Sequence, residues 1–375
     1  MNRILSLAAV LGFCPLAAFA QSVVYTDFSS VQGLSLNGNA AQSGNRLRLV
    51  PSLSAQIGTA WFAAPLTVAN GFDTRFTFQT STPLASGGDG FTFVVQNDPR
   101  GPSAIGADGS AMGYGAYPTS PVGTAIANSL VVEFDTYSTT VGAYTDLSGN
   151  EISVHTGGTG ANDYSEGFSI GRVSPAITFS NAVTHTARIQ YVPGTLRVYL
   201  DNLTTPVLTV PYNINTGGNY VLSPAGPVGG LSLLAGGTAW IGFTAATGGA
   251  SEVYDILSWT YEPGMLVNLG YDPQTFVISL QDVGGDPGDL CFNAITLSAG
   301  AFPNGWWYGI DIGVVEMAQE FTLGAPFLTV FDANGEYSFL LPGVPPLGVT
   351  FYAVALAITP GGIVKKASPP TSLSI

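Results

Sequence analysis

Lysine is nearly missing from this chain: it occurs only as the pair Lys365-Lys366, and all charged residues together make up 9% of the sequence. Ten basic residues stand against 24 acidic ones, giving a formal charge of −14. No basic patch is available to hold nucleic-acid phosphates or an anionic membrane surface, so both are excluded as partners. Long runs of Ala, Leu, Glu and Lys are also lacking, which excludes an architecture built on long helices. Only two cysteines occur. Cys14 falls in a leader-like segment, leaving Cys291 with no intramolecular disulfide partner. Beyond that leader no apolar run reaches the roughly 18 residues of a membrane span, so no membrane insertion is expected.

Glycine (48) and proline (25) are abundant instead. Short Val/Thr/Phe/Tyr runs alternate with Gly, Asn and Pro punctuation, the pattern of many strands joined by tight turns. Residues 1–20 read as a signal peptide: Asn2-Arg3, a largely apolar Ile4–Leu16, and the small-residue site Ala18-Phe19-Ala20. The bulky Phe13 before Cys14 argues against a lipid-attachment cysteine. The expected location is secreted, extracellular or periplasmic.

The densest chemistry lies in Leu130–Gly158, LVVEFDTYSTTVGAYTDLSGNEISVHTGG. Period-2 geometry puts Glu133 and Asp135 on one face of a strand and Val132 and Phe134 on the other. Asp146 follows in a Gly-bearing loop, and a second strand begins at Glu151. Acids fixed on a strand with further oxygen donors on the next loop suit a hard cation such as calcium. A solvated strand edge followed by a polar loop is the alternative. Elsewhere DTRFTFQTS, GGDGFTFVVQ, TARIQYVPGTLRVYLDN and WIGFTAATGGASEVYDILSWTYE supply further strands, with Pro193-Gly194 a hairpin turn. Strands every eight to twelve residues without helical crossovers predict an antiparallel sandwich.

The ordered set SAQIGTAWF, GGDGFTFVVQ, VVEFDTY, TARIQYVPGTLRVYLDN and WIGFTAATGGASEVYDILSWTYE resembles the legume-type (L-type) lectin domain over residues 21–262. The resemblance implies an all-β, concanavalin-like jelly-roll sandwich with a flat back sheet and a curved front sheet. It also implies reversible glycan or polysaccharide binding without catalysis. Homo-oligomers form in the family by edge-to-edge pairing of back sheets. Residues 263–375 read as a second, smaller β-sandwich module, with Asp332-Ala-Asn-Gly335 as a hairpin-type turn and no motif that carries chemistry. Trp306-Trp307-Tyr308 divides between core and rim or forms a sugar-stacking platform.

Carried over by position, the metal ligands implied are Glu133, Asp135, the Tyr137 carbonyl, Thr139, Asp146 and Glu151. Thr139 stands where the family has an Asn that ligates calcium and bonds the sugar. Glu151 stands where it has a His, and His155 lies too far along its strand to replace that His. Losing an imidazole for a carboxylate hardens the site, favouring Ca2+ or Mn2+ over zinc, copper or nickel. Asn150 and Asp163 are the alternative donors, and a metal-free sandwich is the alternative state. For the sugar, the resemblance implies Asp89 after a cis Gly88–Asp89 peptide, the backbone at Gly109 and Ser110, Thr139, and the last loop through Gly249, Ala250 and Ser251. Tyr137 or Tyr144 offers a stacking face.

Two other classes stay in view. Glycoside hydrolases on similar sandwiches need two carboxylates roughly 5 Å apart for retention. Their strand motif adds a further Glu two or three residues on, where this chain has Tyr137 and Ser138. There is no GxSxG element, and the two histidines lie far from any nucleophile pattern. The remaining class is a structural or adhesive matrix protein that keeps the fold without sugar affinity.

Overall fold

Alternating aromatic and small polar residues set the two main sheets. In the strand Phe72–Leu84, Phe72, Phe76 and Phe78 turn inward. In Gly90–Gln96 the inward residues are Phe91, Phe93 and Val95. The computed structural model describes residues 22–84, 87–142, 144–222 and 226–375. The expected leader, with Cys14, lies outside them.

The described residues form two eight-stranded antiparallel sheets face to face, each a path of seven strands with one short strand beside it: Val23–Tyr25 on Ser251–Pro263 in the back sheet and Leu66–Thr67 on Thr238–Ala246 in the front one. The back sheet runs Leu208–Val210, Thr195–Leu200, Thr184–Val192, Phe72–Leu84, Ser251–Pro263, Arg46–Val50, Ala41–Ser43. The front sheet runs Ser169–Val173, Glu151–Thr156, Ser129–Asp135, Gly90–Gln96, Thr238–Ala246, Ile57–Phe62, Leu34–Gly38. Between them lies an aromatic core; the Phe91 and Phe134 rings stack at 4.8 Å and Phe76 meets Phe243 edge-on at 5.1 Å. The hairpin expected at Pro193-Gly194 forms, pairing Val192 with Thr195.

That core decides the site. Because Val132, Phe134, Ile152 and Val154 are committed inward, their neighbours Glu133, Asp135, Glu151, Ser153 and His155 must face the other way. The outer face is not open. A second apolar cluster of Trp61, Val94, Ala104, Met112, Tyr114, Ile126 and Val131 pins loops across it. The acids are therefore buried beneath loops rather than solvated on a strand edge.

Beyond Pro263, a three-stranded sheet (Leu266–Asp272, Val277–Val283, Glu336–Leu341) faces a five-stranded one built on Leu290–Thr296 and Thr350–Ile358. Met265, Leu280, Cys291 and Phe331 pack between them. Two details depart from the sequence reading. A helix, Val314–Leu323, appears where only strands were expected. Its Glu, Met, Ala and Gln favour helix, and Gly324 at φ 71° ends it. The Asp332–Gly335 turn is tight, Gly335 N–H donating to Asp332 O at 3.1 Å. Its flanking strands nevertheless pair in different sheets, so it is an inter-sheet corner and not a hairpin.

Candidate functional site

Strand register builds the acidic half of the site. Glu151 lies directly opposite Asp135, and Ser153 opposite Glu133. The loop between the strands adds Asp146, whose carboxylate accepts the Thr139 N–H while its own N–H donates to Thr139 O at 3.1 Å. Tyr137 N–H donates to Asp135 Oδ1 at 2.7 Å. Glu151 is buried; Oε2 accepts the Leu147 N–H, and among the described residues Oε1 has no hydrogen-bond partner.

The Glu133 end is different. The hydroxyls of Tyr114 and Ser153 donate to its two oxygens. His155 Nε2 sits 3.2 Å from Glu133 Oε2 and 3.1 Å from Glu166 Oε1, while Nδ1 donates to the Asp163 carbonyl at 3.0 Å. His155 lies opposite Val131, four residues along the strand from the Asp135–Glu151 pair, and it joins the cluster through Glu133. Glu133, His155 and Glu166 each offer an atom within 4.8 Å of the others, a buried trio able to hold a metal ion. Sequence reasoning missed Tyr114, Glu166 and Arg172. The only signal was a second acid shortly after His155, in Asp163-Tyr-Ser-Glu166, on a 3-10 turn capped by Ser165.

Five acids, Glu133, Asp135, Asp146, Glu151 and Glu166, share this space with two cationic groups, His155 and Arg172, the latter 3.4 Å from Glu166. Burial raises Glu133 to about 7, with His155 opposing. Burial, then Asp146 and Glu133, raise Asp135 well above the carboxylate range. Burial and then Glu166 raise Glu151 to about 8, and burial raises Asp146 to about 6. For His155 burial works downward, but Glu133 and Glu166 outweigh it and bring the imidazole to about 10. The cluster is short of positive charge.

Asp89 lies alongside. The Gly88–Asp89 peptide is cis, as the resemblance implied. Asp89 is buried, its N–H donating to Ala246 O at 3.1 Å. Ser110 Oγ lies 3.4 Å from Asp89 Oδ1 and 3.0 Å from Thr139 Oγ1, linking the two halves of the site. Among the described residues Asp89 Oδ2 forms no hydrogen bond, and burial raises the carboxyl to about 6 against the opposing effect of Ser110 and the Gly248 backbone N–H. A Cβ at Gly88 (φ +142°) would meet Tyr137 Cβ at 3.1 Å and Ala250 Cβ at 3.3 Å, so only glycine lets these loops close. Tyr137 is 40% exposed with its ring against Gly88. The Tyr144 side chain lies outside the described residues.

Other expectations change. The Gly109 N–H donates to Thr247 O at 3.1 Å, so it is not open to a ligand; Ser110 holds that edge instead. Gly249 is exposed at the loop tip, Ala250 O accepts the Gly248 N–H at 3.1 Å, and Ser251 is buried at the start of its strand. Asn150 is no stand-in donor, because its side chain ties down Pro175, Ile177 and Phe179. Asp163 accepts the Ser165 N–H at 2.8 Å and offers the trio its carbonyl, not its carboxylate. Trp306 is 59% exposed and Tyr308 46%, while Trp307 packs edge-on against Phe292, so the three aromatics divide between rim and core.

Fold and site together define a concanavalin-like sandwich with an acid-lined centre beneath its front-sheet loops. A family model described as the legume lectin domain matches residues 20–266, and the chain belongs to that family. Similar solved structures include a lectin from Bauhinia forficata in complex with GalNAc, at 24% identity, covering 64% of this chain and 96% of that one, TM-score 0.45. Lectin I-B4 from Griffonia simplicifolia, in its metal-free form, matches at 20% identity, covering 64% and 98%, TM-score 0.49. The VIP36 exoplasmic/lumenal domain, Ca2+/Man3GlcNAc-bound, matches at 18% identity, covering 68% and 91%, TM-score 0.44.

Proposed function

We propose that this chain is a secreted carbohydrate-binding protein that holds glycans reversibly, without catalysis, with calcium supporting the site. One observation carries the reading: among the described residues two buried carboxylate oxygens, Asp89 Oδ2 and Glu151 Oε1, form no hydrogen bond. Buried polar atoms are ordinarily satisfied, and an orphaned carboxylate oxygen asks for a cation or a hydroxyl donor.

Each oxygen suits a different partner. Glu151, with Asp135, Asp146 and the Tyr137 carbonyl, is an all-oxygen donor set that would hold a hard cation such as calcium. Bound there, the ion would supply the positive charge the cluster lacks. Asp89 would accept from sugar hydroxyls, Ser110 and Thr139 would add hydroxyls beside it, and Tyr137 would present a ring face to the apolar side of a sugar. A second ion, manganese in the sequence reading, would find an imidazole only at Glu133, His155 and Glu166. Membership of the legume lectin domain family supports the ligand class, and the leader-like residues 1–20 support secretion.

A glycan array probed with calcium and with chelator tests this. Binding in calcium that is lost in chelator is expected. Binding in neither condition would leave the structural or adhesive reading standing instead.

A further inference from the structure

The C-terminal sandwich does not close along one edge. A cavity of about 330 Å³ opens there between its two sheets, at the lower end of the roughly 300–1,000 Å³ of small-molecule sites. Leu269, Leu280, Ile295, Phe339 and Phe351 form apolar walls, and the helix Val314–Leu323 brings Glu316 and Glu320 to the same space. The two acids are one turn apart and share a helix face. Glu320 is 5% exposed; both its oxygens lie 3.3 Å from the single N–H of Ile295. Glu316 Oε2 accepts from Thr296 Oγ1 and from Gly313 N–H, each at 3.3 Å.

Among the described residues no cation serves them. The only basic residues after residue 262 are Lys365 and Lys366, and no histidine occurs there. Lys365 is held by Asp286 at 3.0 Å and Asp289 at 2.8 Å, Lys366 by Asp286 at 3.0 Å. Among the described residues neither glutamate forms an ion pair. Burial raises Glu320 to about 8, the response of an acid with no cation beside it. Ionising both acids one turn apart against an apolar wall is unfavourable without a cation beside them.

We infer that this cavity is a second ligand site, separate from the lectin centre, that takes a primary ammonium carried on an apolar body. The apolar part would fill the space between the sheets. The ammonium would donate to Glu316 and Glu320, each of which keeps acceptor capacity beyond its present bonds. An anion of the same shape would meet two carboxylates, and a neutral alcohol would satisfy them only in part.

The full-length chain is titrated with octylammonium, octan-1-ol and octanoate, read by calorimetry and by Ile and Leu methyl shifts. Octylammonium is expected to bind about tenfold or more tighter than the alcohol, with octanoate not binding. Combined Glu316→Gln and Glu320→Gln should bring octylammonium down to the alcohol's affinity. Glutamine at 320 still accepts the Ile295 N–H, and the wild-type comparison of the three probes needs no variant. Equal binding of all three, binding of none at millimolar concentration, or a preference that survives the double substitution would overturn the inference. Glycan binding is unaffected by either result, so this test and that of the lectin reading fail independently.

Discussion

Glu151 stands directly across the strand pair from Asp135, and its Oε1 is buried without a donor. A residue placed only for packing would not leave a polar oxygen there, because an unpaired buried polar atom costs roughly 1–3 kcal/mol. Glu151→Gln should therefore lower calcium affinity by about tenfold or more, since ligand charge count tunes such sites over decades. The same change should leave the metal-free protein as stable or more so. Calcium calorimetry and thermal melts in chelator measure the two effects, and unchanged calcium affinity would remove Glu151 from the site.

Asp89→Asn should abolish measurable glycan binding while shifting Tm by no more than about 2 °C, because among the described residues Asp89 Oδ2 forms no hydrogen bond to lose. Retained glycan binding would take Asp89 out of the centre.

Gly88→Ala tests the closure of the loops. The new Cβ meets Tyr137 and Ala250 on a backbone at φ +142° that side chains rarely adopt. A stability loss of about 1–3 kcal/mol is expected, with glycan affinity down at least about tenfold. An unaltered affinity would show that Tyr137 and Asp89 need not be held together.

Stability without metal should fall as pH rises. Glu133, Asp146 and Glu151 have folded-state values raised to about 7, 6 and 8. Each contributes stability that is full below its unfolded value and is lost as pH climbs through the folded one. His155, raised to about 10, acts in the same direction from its ordinary value upward. Metal-free melts should accordingly decline from about pH 4.5 to pH 8, and calcium should flatten that decline. A chelator-treated protein that gains stability over this range would contradict the charge-deficit picture.

Much of this was legible in the sequence. Period-2 alternation placed Glu133 and Asp135 on one face, and the register then put Glu151 opposite Asp135. The Gly88-Asp89 turn and the Thr139 substitution were visible as motif positions. What stayed hidden depended on loops crossing the front sheet. Glu166 and Tyr114 reach Glu133 from segments whose paths no local pattern specifies, so the buried His155 trio could not be read from spacing. Nothing in the sequence shows Thr247 O beside the Gly109 N–H, so a motif position alone leaves that N–H open to a ligand. The helix Val314–Leu323 was missed because its ten residues sit among strand-like runs.

The central claim is a metal-supported glycan centre, and one calorimetric experiment tests it most directly: calcium is titrated into chelator-stripped protein, followed by a monosaccharide panel with and without the ion. The account predicts saturable calcium binding, a stability gain of about 2.7 kcal/mol at 100 times Kd, and sugar binding only in the loaded protein. No heat and no thermal shift at millimolar calcium, with no sugar bound in either state, would contradict it.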